Sequence, residues 1–363
     1  MKRKKILIAV SSLGGGGAER VATVWASQLA ECGYDVSIYV TSRIADEYPL
    51  SDKVTVYAGG QTRGEYLSKS YFRRFRNVCS ILKKIDPDYI VSFLFNTRIW
   101  MMFGSMGLRA KLIDTVRISP WVYDSYKFPA RILSQMSYDV SRKIIVQASD
   151  QKDWFSERNQ KKCVLVPNPI SPLYKTNYKE YISQEVVNFI AAGRIDPQKN
   201  YPMMIDAFAS VVKQYPNIKL RIFGKGKDDY TQKLQDQINS LGMQESIFLM
   251  GRSSEIHIEY KKSDVFLMTS DFEGLPNSLM EAMASRLICI STDCKTGPRD
   301  LIDHNENAFM VPVGDSKALA QSIVNVMNMT YEERVAMADK ARAKIMSYCS
   351  EENSLKRLCS VFK

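Results

Sequence analysis

Residues Ile6–Arg20 read ILIAVSSLGGGGAER, an apolar run followed by a glycine-rich turn. An amphipathic window, Ala18–Glu31, continues from the glycines. An apolar run that passes through such a turn into a helix is the first half of a β-α-β unit. The glycines Gly14–Gly17 let backbone amides approach a phosphate or a sugar closely. The apolar run is too short for a signal peptide, so we interpret it as a first strand despite the basic Lys2–Lys5 before it.

The same alternation of apolar runs and helical windows continues along the chain. Further strands are predicted in the first half at Val36–Val40, Val54–Tyr57, Tyr89–Phe93, Leu112–Thr115, Ile144–Val146 and Val164–Val166. Strands are predicted in the second half at Phe189–Ala192, Leu220–Phe223, Ile247–Met250, Val265–Met268, Ile288–Ser291 and Phe309–Val311. Other helical windows are Phe72–Lys84, Pro202–Gln214, Tyr230–Ser240, Asn277–Ser285 and Ser316–Met327. Buried strands that alternate with helices predict parallel sheets covered on both faces.

The chain of 363 residues is long enough for two domains. A polar segment with three prolines, residues 167–185, interrupts the alternation and is interpreted as the interdomain linker. We therefore predict a Rossmann-like domain over residues 1–170, a second over 171–345, and a C-terminal helix within 346–363 that packs back on the first. Two doubly wound α/β domains in series predict a ligand cleft between the carboxyl ends of their sheets.

Charge and cysteine content narrow the function classes. Residues 1–170 contain 26 Lys+Arg against 15 Asp+Glu, whereas residues 171–363 are balanced at 24 each. The basic first domain is a solubility charge or faces an anionic partner such as a phospholipid surface, a diphosphate-linked acceptor or nucleic acid. Seven cysteines without a C-x-x-C pair favour reduced thiols in the cytoplasm. With only two histidines, no protein-bound metal is expected.

Two further polar turns follow predicted strands of the second domain. AGRIDPQKN, residues 192–200, places Arg194 and Lys199 on a loop at a strand's carboxyl end, where two cations suit a diphosphate leaving group. IFGKGKDD offers Gly224 and Lys225 to phosphates. Each loop alone is more typical of a solvated turn than of a phosphate site. The Gly14–Gly17 turn is also similar to a dinucleotide site. The second strand ends without the acid that would bind the ribose of NAD, whereas Arg43 could accept the 2′-phosphate of NADP.

A pair of acids flanks a third turn, DFEGLPNSLME, over residues 271–281. Glu273 precedes the break Gly274-Leu275-Pro276-Asn277, and Glu281 lies about one turn into the helix that follows. We expect Asn277 to cap this helix and its first amides to donate to phosphate or sugar oxygens. A single glutamate here is typical of a solvated face, but two acids around such a turn favour a binding site.

Taken in order and spacing, these motifs resemble the retaining glycosyltransferases of family 4, which have the GT-B fold. The resemblance rests on GGGGAERVA, GRIDPQKN, FGKGKDD, FEGLPNSLMEAMA and TGPRDLI. The spacing of Glu273 and Glu281 is similar to that family's E-x7-E signature. The motifs extend over essentially the whole chain, and together they are far more specific than any one of the glycine turns.

The resemblance implies a role for each motif. Arg194 and Lys199 would neutralise the donor diphosphate, Glu273 would contact sugar hydroxyls at the reacting face, and Glu281 would hold the ribose. Backbone groups of Gly274, Leu275, Pro276 and Asn277 would serve sugar and phosphate, Gly16 and Gly17 would close over the donor, Gly224 would approach its phosphates, and the base would lie near Met250-Gly251-Arg252. No cofactor or protein-bound metal is implied.

The chain departs from the family pattern in one segment, IDTVRISP, where many relatives have a histidine and this sequence has Arg117. We assign Arg117 an acceptor or donor contact, since an arginine cannot serve as a general base. The resemblance suggests that the leaving phosphate accepts the acceptor's proton instead. Asp86-Pro87-Asp88 spells a D-x-D motif but precedes a predicted strand, so we interpret it as a loop and not as a metal site.

The expected function is transfer of a hexose or N-acetylhexosamine from a nucleotide sugar, such as a UDP-sugar, to a lipid-linked oligosaccharide or lipopolysaccharide during bacterial surface polysaccharide (O-antigen or capsule) synthesis. The helix at Tyr71–Lys84 would pack Phe72, Phe75, Val78, Cys79 and Leu82 inward and turn its basic face to the cytoplasmic side of the membrane. No recognition motif indicates nucleic acid. A nucleotide-sugar epimerase or hydrolase of the same fold, and a membrane scaffold with an inactive cleft, remain the alternatives.

Overall fold

The computed structural model describes residues 3–363, which divide into two compact units. The first unit contains the chain up to Pro169 together with Glu352–Lys363, and the second contains Ile170–Glu351. The last segment thus returns to the first unit at residue 352, six residues after the predicted boundary at 346.

Strands and helices alternate in both units. The strands are β1 Lys5–Val10, β2 Asp35–Val40, β3 Thr55–Ala58, β4 Tyr89–Ser92, β5 Lys111–Thr115, β6 Lys143–Val146, β7 Cys163–Leu165, β8 Asn188–Ala192, β9 Lys219–Phe223, β10 Ile247–Gly251, β11 Val265–Met268, β12 Ile288–Thr292 and β13 Phe309–Val311. The helices are α1 Gly17–Glu31, α2 Arg63–Ser68, α3 Tyr71–Ile85, α4 Phe95–Gly104, α5 Ala130–Val140, α6 Glu157–Gln160, α7 Leu173–Thr176, α8 Tyr201–Val212, α9 Asp228–Ser240, α10 Ile256–Lys261, α11 Asn277–Ala284, α12 Pro298–Leu301, α13 Ser316–Asn328, α14 Tyr331–Tyr348 and α15 Glu351–Ser360.

Each unit is built on one parallel, doubly wound sheet. The first has the order β3-β2-β1-β4-β5-β6-β7 and the second β10-β9-β8-β11-β12-β13. The strand order therefore reverses direction beside β1 and β4 in the first unit, and beside β8 and β11 in the second. Ligands of such sheets bind at this switch point, outside the carboxyl ends of the strands. The predicted pair of Rossmann-like α/β domains is confirmed.

The first strand shows why continuous apolar runs specify these sheets. Ile6, Ile8 and Val10 lie in one core cluster with α1, whereas Leu7 and Ala9 lie in another with α3 and α4. Side chains alternate between the two faces of a strand, and helices cover both faces here, so both sets must be apolar. The predicted strand bounds agree with the structure to within one residue.

The interpretation of residues 167–185 as a linker is largely wrong, because most of this segment packs on the second unit. Tyr174 is buried in that unit's core. The Lys179 ammonium lies 2.6 Å from Oδ1 of Asp264, and Ser183 also donates to this oxygen. Burial opposes ionisation of Asp264, yet these hydrogen bonds hold its pKa below the ordinary value. The proline-rich composition therefore marks an ordered strap.

The inward face of α3 begins later than the sequence suggested. Val78, Leu82 and Ile85 are buried, but Phe72 is exposed, which corrects its assignment to the core. The D-x-D segment is a loop before β4, where the Asp88 carboxylate accepts a hydrogen bond from the Lys5 amide at 2.8 Å. Helix α15 leads into Val361 and Phe362, which lie in the core of the first unit.

Candidate active site

Two charged side chains meet at the switch point of the second sheet. Lys199 follows β8 and Glu273 follows β11, and these strands are neighbours in the sheet. The Lys199 Nζ lies 2.6 Å from Oε1 of Glu273, and the two side chains are 14% and 10% exposed. Such a pair holds both charges in fixed positions at the place where doubly wound sheets bind ligands.

Hydrogen bonds join the two loops that carry this pair. The Gln198 side chain donates to the Phe272 carbonyl at 2.7 Å, and the Asp271 amide donates to the Gln198 carbonyl at 2.9 Å. The Thr269 hydroxyl donates to the Lys199 carbonyl at 2.8 Å. The backbones on both sides of the Lys199–Glu273 pair are therefore fixed to each other.

A third loop, after β12, forms hydrogen bonds with the backbone of Glu273. The buried Thr296 hydroxyl donates to the Glu273 carbonyl, and the Glu273 amide donates to the Lys295 carbonyl at 3.3 Å. Gly297 has φ +97°, and a Cβ there would lie 2.5 Å from the Gly274 carbonyl oxygen. Glycine is thus required by both backbone conformation and space. The sequence had linked TGPRDLI to the family but gave Thr296 and Gly297 no role.

The second acid of the motif is also buried. Glu281 lies in α11 and is 7% exposed, close to the 8% of Glu273. Gly274, Leu275 and Pro276 are buried in the turn between them. The helix begins at Asn277, and Pro276 occupies the capping position without a side-chain cap. Asn277 is therefore the first helical residue and not the predicted cap. An ionised carboxylate only accepts hydrogen bonds, so buried acids around a helix start suit hydroxyl recognition.

The glycine turn after β9 has a packing function. A Cβ at Gly224 would lie 1.8 Å from the Gly193 carbonyl oxygen, and one at Gly226 would lie 2.1 Å from that of Ile195. The Gly224 amide donates to the Gly251 carbonyl at 2.8 Å. These contacts account for both glycines without a ligand. The turn therefore supports the loop that leads to Lys199.

Two predicted site cations are not joined to this cluster. The Arg194 side chain is 72% exposed and lies 3.3 Å from the Asp196 carboxylate. Arg252 is exposed directly after β10, at the edge of the sheet. Lys199 is thus the cation that the fold fixes next to Glu273, while Arg194 is held by a solvent-exposed contact.

In the first unit, the four glycines open α1. Gly15 has φ +93°, and a Cβ at Gly14 would lie 2.1 Å from the Asp46 carbonyl oxygen, so both positions require glycine in the folded chain. Gly16 caps α1 without a side-chain hydrogen bond, and Gly17 is the first helical residue. Gly16 and Gly17 are therefore the two glycines of this turn that remain candidates for approach to a ligand.

Arg117 is an interior cation of the first unit. Its guanidinium lies 4.3 Å from the Trp25 ring and 4.5 Å from the Phe93 ring, and it donates to Asn168 at 2.9 Å. Burial lowers the pKa of Arg117 to about 9, so the side chain is still protonated at neutral pH. Its Nε and Nη2 atoms are buried without a hydrogen-bond partner in the described chain. The geometry agrees with a binding contact and excludes a base.

Comparison with known proteins identifies the family. The model of the glycosyl transferases group 1 matches residues 179–344. The Campylobacter jejuni GalNAc-alpha-(1->4)-GalNAc-alpha-(1->3)-diNAcBac-PP-undecaprenol alpha-1,4-N-acetyl-D-galactosaminyltransferase is 30% identical over 331 residues, which cover 89% of each chain. The chain belongs to the group 1 glycosyltransferases. It is therefore an enzyme that transfers a glycosyl group.

Other members and solved structures agree with this assignment of the group 1 glycosyltransferase. The amylovoran biosynthesis glycosyltransferase AmsD of Erwinia amylovora is 28% identical, and the match covers 82% of this chain and 83% of AmsD. The crystal structure of Anabaena Alr3699/HepE in complex with UDP has a TM-score of 0.80 at 16% identity, with 99% of each chain covered. The structural likeness confirms the predicted GT-B fold.

Two features are absent from the described part of this glycosyltransferase. No helix within residues 3–363 is both long and apolar enough to cross a membrane. No group of three or more His, Cys, Asp or Glu side chains in the same residues is placed to hold a metal ion.

Proposed function

We propose that the protein is a retaining glycosyltransferase that transfers a hexose or N-acetylhexosamine from a UDP-sugar to a lipid-linked saccharide. The observation that carries this proposal is the buried Lys199–Glu273 pair, 2.6 Å apart at the switch point of the second sheet. A cation and a hydroxyl acceptor side by side match the two chemical parts of a nucleotide sugar at the bond that breaks.

The reaction assigns a different task to each side chain. The acceptor hydroxyl oxygen forms a bond to the anomeric carbon, and the bond from that carbon to the phosphate oxygen breaks. The leaving nucleoside diphosphate gains negative charge, which Lys199 and the more exposed Arg194 neutralise. The acceptor's proton passes to the leaving phosphate oxygen on the same face of the sugar, so no protein base is needed.

The acids bind and do not shuttle protons. Glu273 accepts hydrogen bonds from sugar hydroxyls, while its contact with Lys199 holds the carboxylate in place. Glu281, which is buried in α11, accepts hydrogen bonds from the ribose hydroxyls. Gly16 and Gly17 approach the donor from the first unit, and Arg117 contacts donor or acceptor. The protein requires no cofactor and no metal of its own.

A lipid-linked acceptor is supported by charge and by relatives. The first unit has 29 Lys+Arg against 16 Asp+Glu, whereas the second has 21 against 23. The Campylobacter relative is named for an acceptor that ends in PP-undecaprenol. We therefore place the enzyme on the cytoplasmic face of the membrane, with the basic face of α3 toward anionic lipid and with surface polysaccharide as the product. It has no nucleic-acid partner.

A panel of nucleotide sugars tests the donor assignment. Thermal shift should single out one UDP-sugar, and that sugar should then be transferred to an undecaprenyl diphosphate-linked saccharide. Glu281→Ala should weaken donor binding, whereas Glu306→Gln, at an exposed acid of the same unit, should not. The proposal fails if no nucleotide sugar binds, or if the sugar nucleotide is epimerised or hydrolysed at full rate without an acceptor.

A further inference from the structure

The fifth helix of the first unit presents apolar side chains to the outside. Phe128, just before α5, and Ile132, Met136 and Val140 within it are 81%, 49%, 44% and 55% exposed. Ile132, Met136 and Val140 follow one another at intervals of four, so they lie along one side of α5, and Phe128 lies two residues before its start. These four residues are called the α5 stripe below. A surface helix normally exposes polar residues, and α5 exposes these apolar side chains in addition to Arg131, Gln135 and Asp139.

The inward side of α5 is formed by different side chains. Its buried residues are Ser134, Ser137 and Tyr138. Arg98 donates to the Ser134 hydroxyl at 2.8 Å, and its guanidinium lies 4.0 Å from the Tyr138 ring. The helix therefore covers a buried, polar arginine with serines and a tyrosine. The α5 stripe is therefore not part of the core of the first unit, and core packing does not explain its apolar side chains.

Helices that neighbour α5 also expose apolar side chains. Helix α4 packs against both α3 and α5. Phe103 and Met106, at the end of α4, are exposed, as are Tyr71 and Phe72 at the start of α3. These two neighbouring segments thus expose four large apolar side chains, in addition to the α5 stripe. Clusters of this kind mark contact with a partner or a membrane.

Charge distinguishes between the possible partners. Residues 71–143 contain 13 Lys+Arg against 5 Asp+Glu. The exposed cations close to the α5 stripe in sequence are Lys127, Arg131 and Arg142, and the exposed acids there are Asp124 and Asp139. A second copy of the chain would bring equally basic surfaces together, which opposes self-association. An anionic bilayer offers phosphates to the cations and acyl chains to the apolar side chains, and it fits both features.

We propose that α5 is a membrane-inserting element, in which the α5 stripe enters the acyl boundary of an anionic phospholipid bilayer while Lys127, Arg131 and Arg142 bind headgroup phosphates. The inference deepens the proposed function, since a lipid-linked acceptor has to be reached at the membrane surface. It assigns the apolar anchoring to α5, whereas the sequence pattern had indicated basic residues of the first domain, above all on α3. Binding in this manner needs no spanning helix.

Vesicle sedimentation of the full chain tests the proposal without any sugar nucleotide or acceptor. The vesicles contain either phosphatidylcholine alone or phosphatidylcholine mixed with anionic phosphatidylglycerol. The parent should bind the mixed vesicles more tightly, and Ile132→Gln/Met136→Gln should lower its partition coefficient by at least about tenfold, because two apolar side chains no longer leave water. Lys127→Gln/Arg131→Gln should lower binding to the anionic vesicles alone, by about fivefold per residue.

The matched control is Tyr181→Gln/Leu241→Gln, which removes two exposed apolar side chains from the second unit. It should bind vesicles as the parent does, and circular dichroism should show every variant folded. The proposal is overturned if the parent binds neither vesicle, if the α5 variant binds like the parent, or if the control loses as much. It is also overturned if sedimentation velocity shows a dimer that the α5 variant abolishes while vesicle binding stays unchanged.

The readouts separate this inference from the proposed function. If the parent binds vesicles and the α5 variant does not, the membrane assignment stands even when no sugar transfer is detected with any donor. If transfer to a water-soluble acceptor analogue is detected but vesicle binding is independent of α5, the enzyme assignment stands and the membrane assignment fails.

Discussion

Replacement of Lys199 by methionine should destabilise the loops around Glu273 far more than the loss of an ordinary surface charge. The two side chains are 14% and 10% exposed, so Lys199→Met leaves a nearly buried carboxylate unpaired. Breaking a fully buried pair costs about 3–5 kcal/mol, and the residual exposure lowers our expectation to about 2–3 kcal/mol. Glu273→Gln should cost less, because the amide oxygen still accepts from Lys199.

The double variant Lys199→Met/Glu273→Gln contains no uncompensated charge. We expect it to be more stable than the sum of the two single changes predicts, by about 2 kcal/mol of coupling energy. Hydrogen exchange of peptides that cover residues 265–284 measures the local opening free energy. A matched control is Lys262→Met, which removes the 57% exposed partner of Glu259 and should change the opening free energy by less than about 1 kcal/mol. Additivity of the two single changes to within about 0.5 kcal/mol would show that the two side chains are not coupled.

Two further predictions concern the supporting loop and the buried acid of the first unit. Gly297→Ala should lower both thermal stability and UDP affinity, because the new Cβ meets the Gly274 carbonyl oxygen at 2.5 Å. The control Gly314→Ala shares the positive φ, but its Cβ meets no atom within 4 Å. It should leave UDP affinity unchanged in calorimetric titration. Burial raises the pKa of Asp114 to about 6 from 3.8. The folded state then binds more protons between these values, so this group's contribution to stability falls as pH rises through that window, by up to about 3 kcal/mol. Urea unfolding of Asp114→Asn at pH 4 and pH 6.5 should show that slope reduced, and an unchanged slope contradicts the assignment.

The central strands were predictable because they are buried on both faces, whereas the edge strands β3 and β10 are partly exposed. Ile6–Val10 and Val265–Met268 are continuous apolar runs, and no helical alternative fits runs so short between polar turns. Helix α5 could not be found in the same manner. Its inward side is formed by Ser134, Ser137 and Tyr138, so its hydrophobic periodicity points away from the core of the first unit.

At the site, the sequence identified the acids and Lys199 but not how they are held. Glu273 and Lys199 are 74 residues apart, and their contact depends on the adjacency of β8 and β11. The glycines show the same limit. Sequence pattern assigned Gly224 to a phosphate, whereas its close approach to the Gly193 carbonyl is visible only once two loops are placed side by side. Long-range packing of this kind leaves no mark in local composition.

The central claim is that the Lys199–Glu273 pair forms the reaction centre of a retaining transfer. Its most direct test is the turnover number of Glu273→Gln beside the parent and Glu306→Gln, with the anomeric configuration of the product read by NMR. The account predicts a product with the donor's own configuration, a kcat for Glu273→Gln lower by about 10²–10³-fold, a donor affinity changed much less, and a normal Glu306→Gln. An inverted product, or parental kcat in Glu273→Gln, contradicts it.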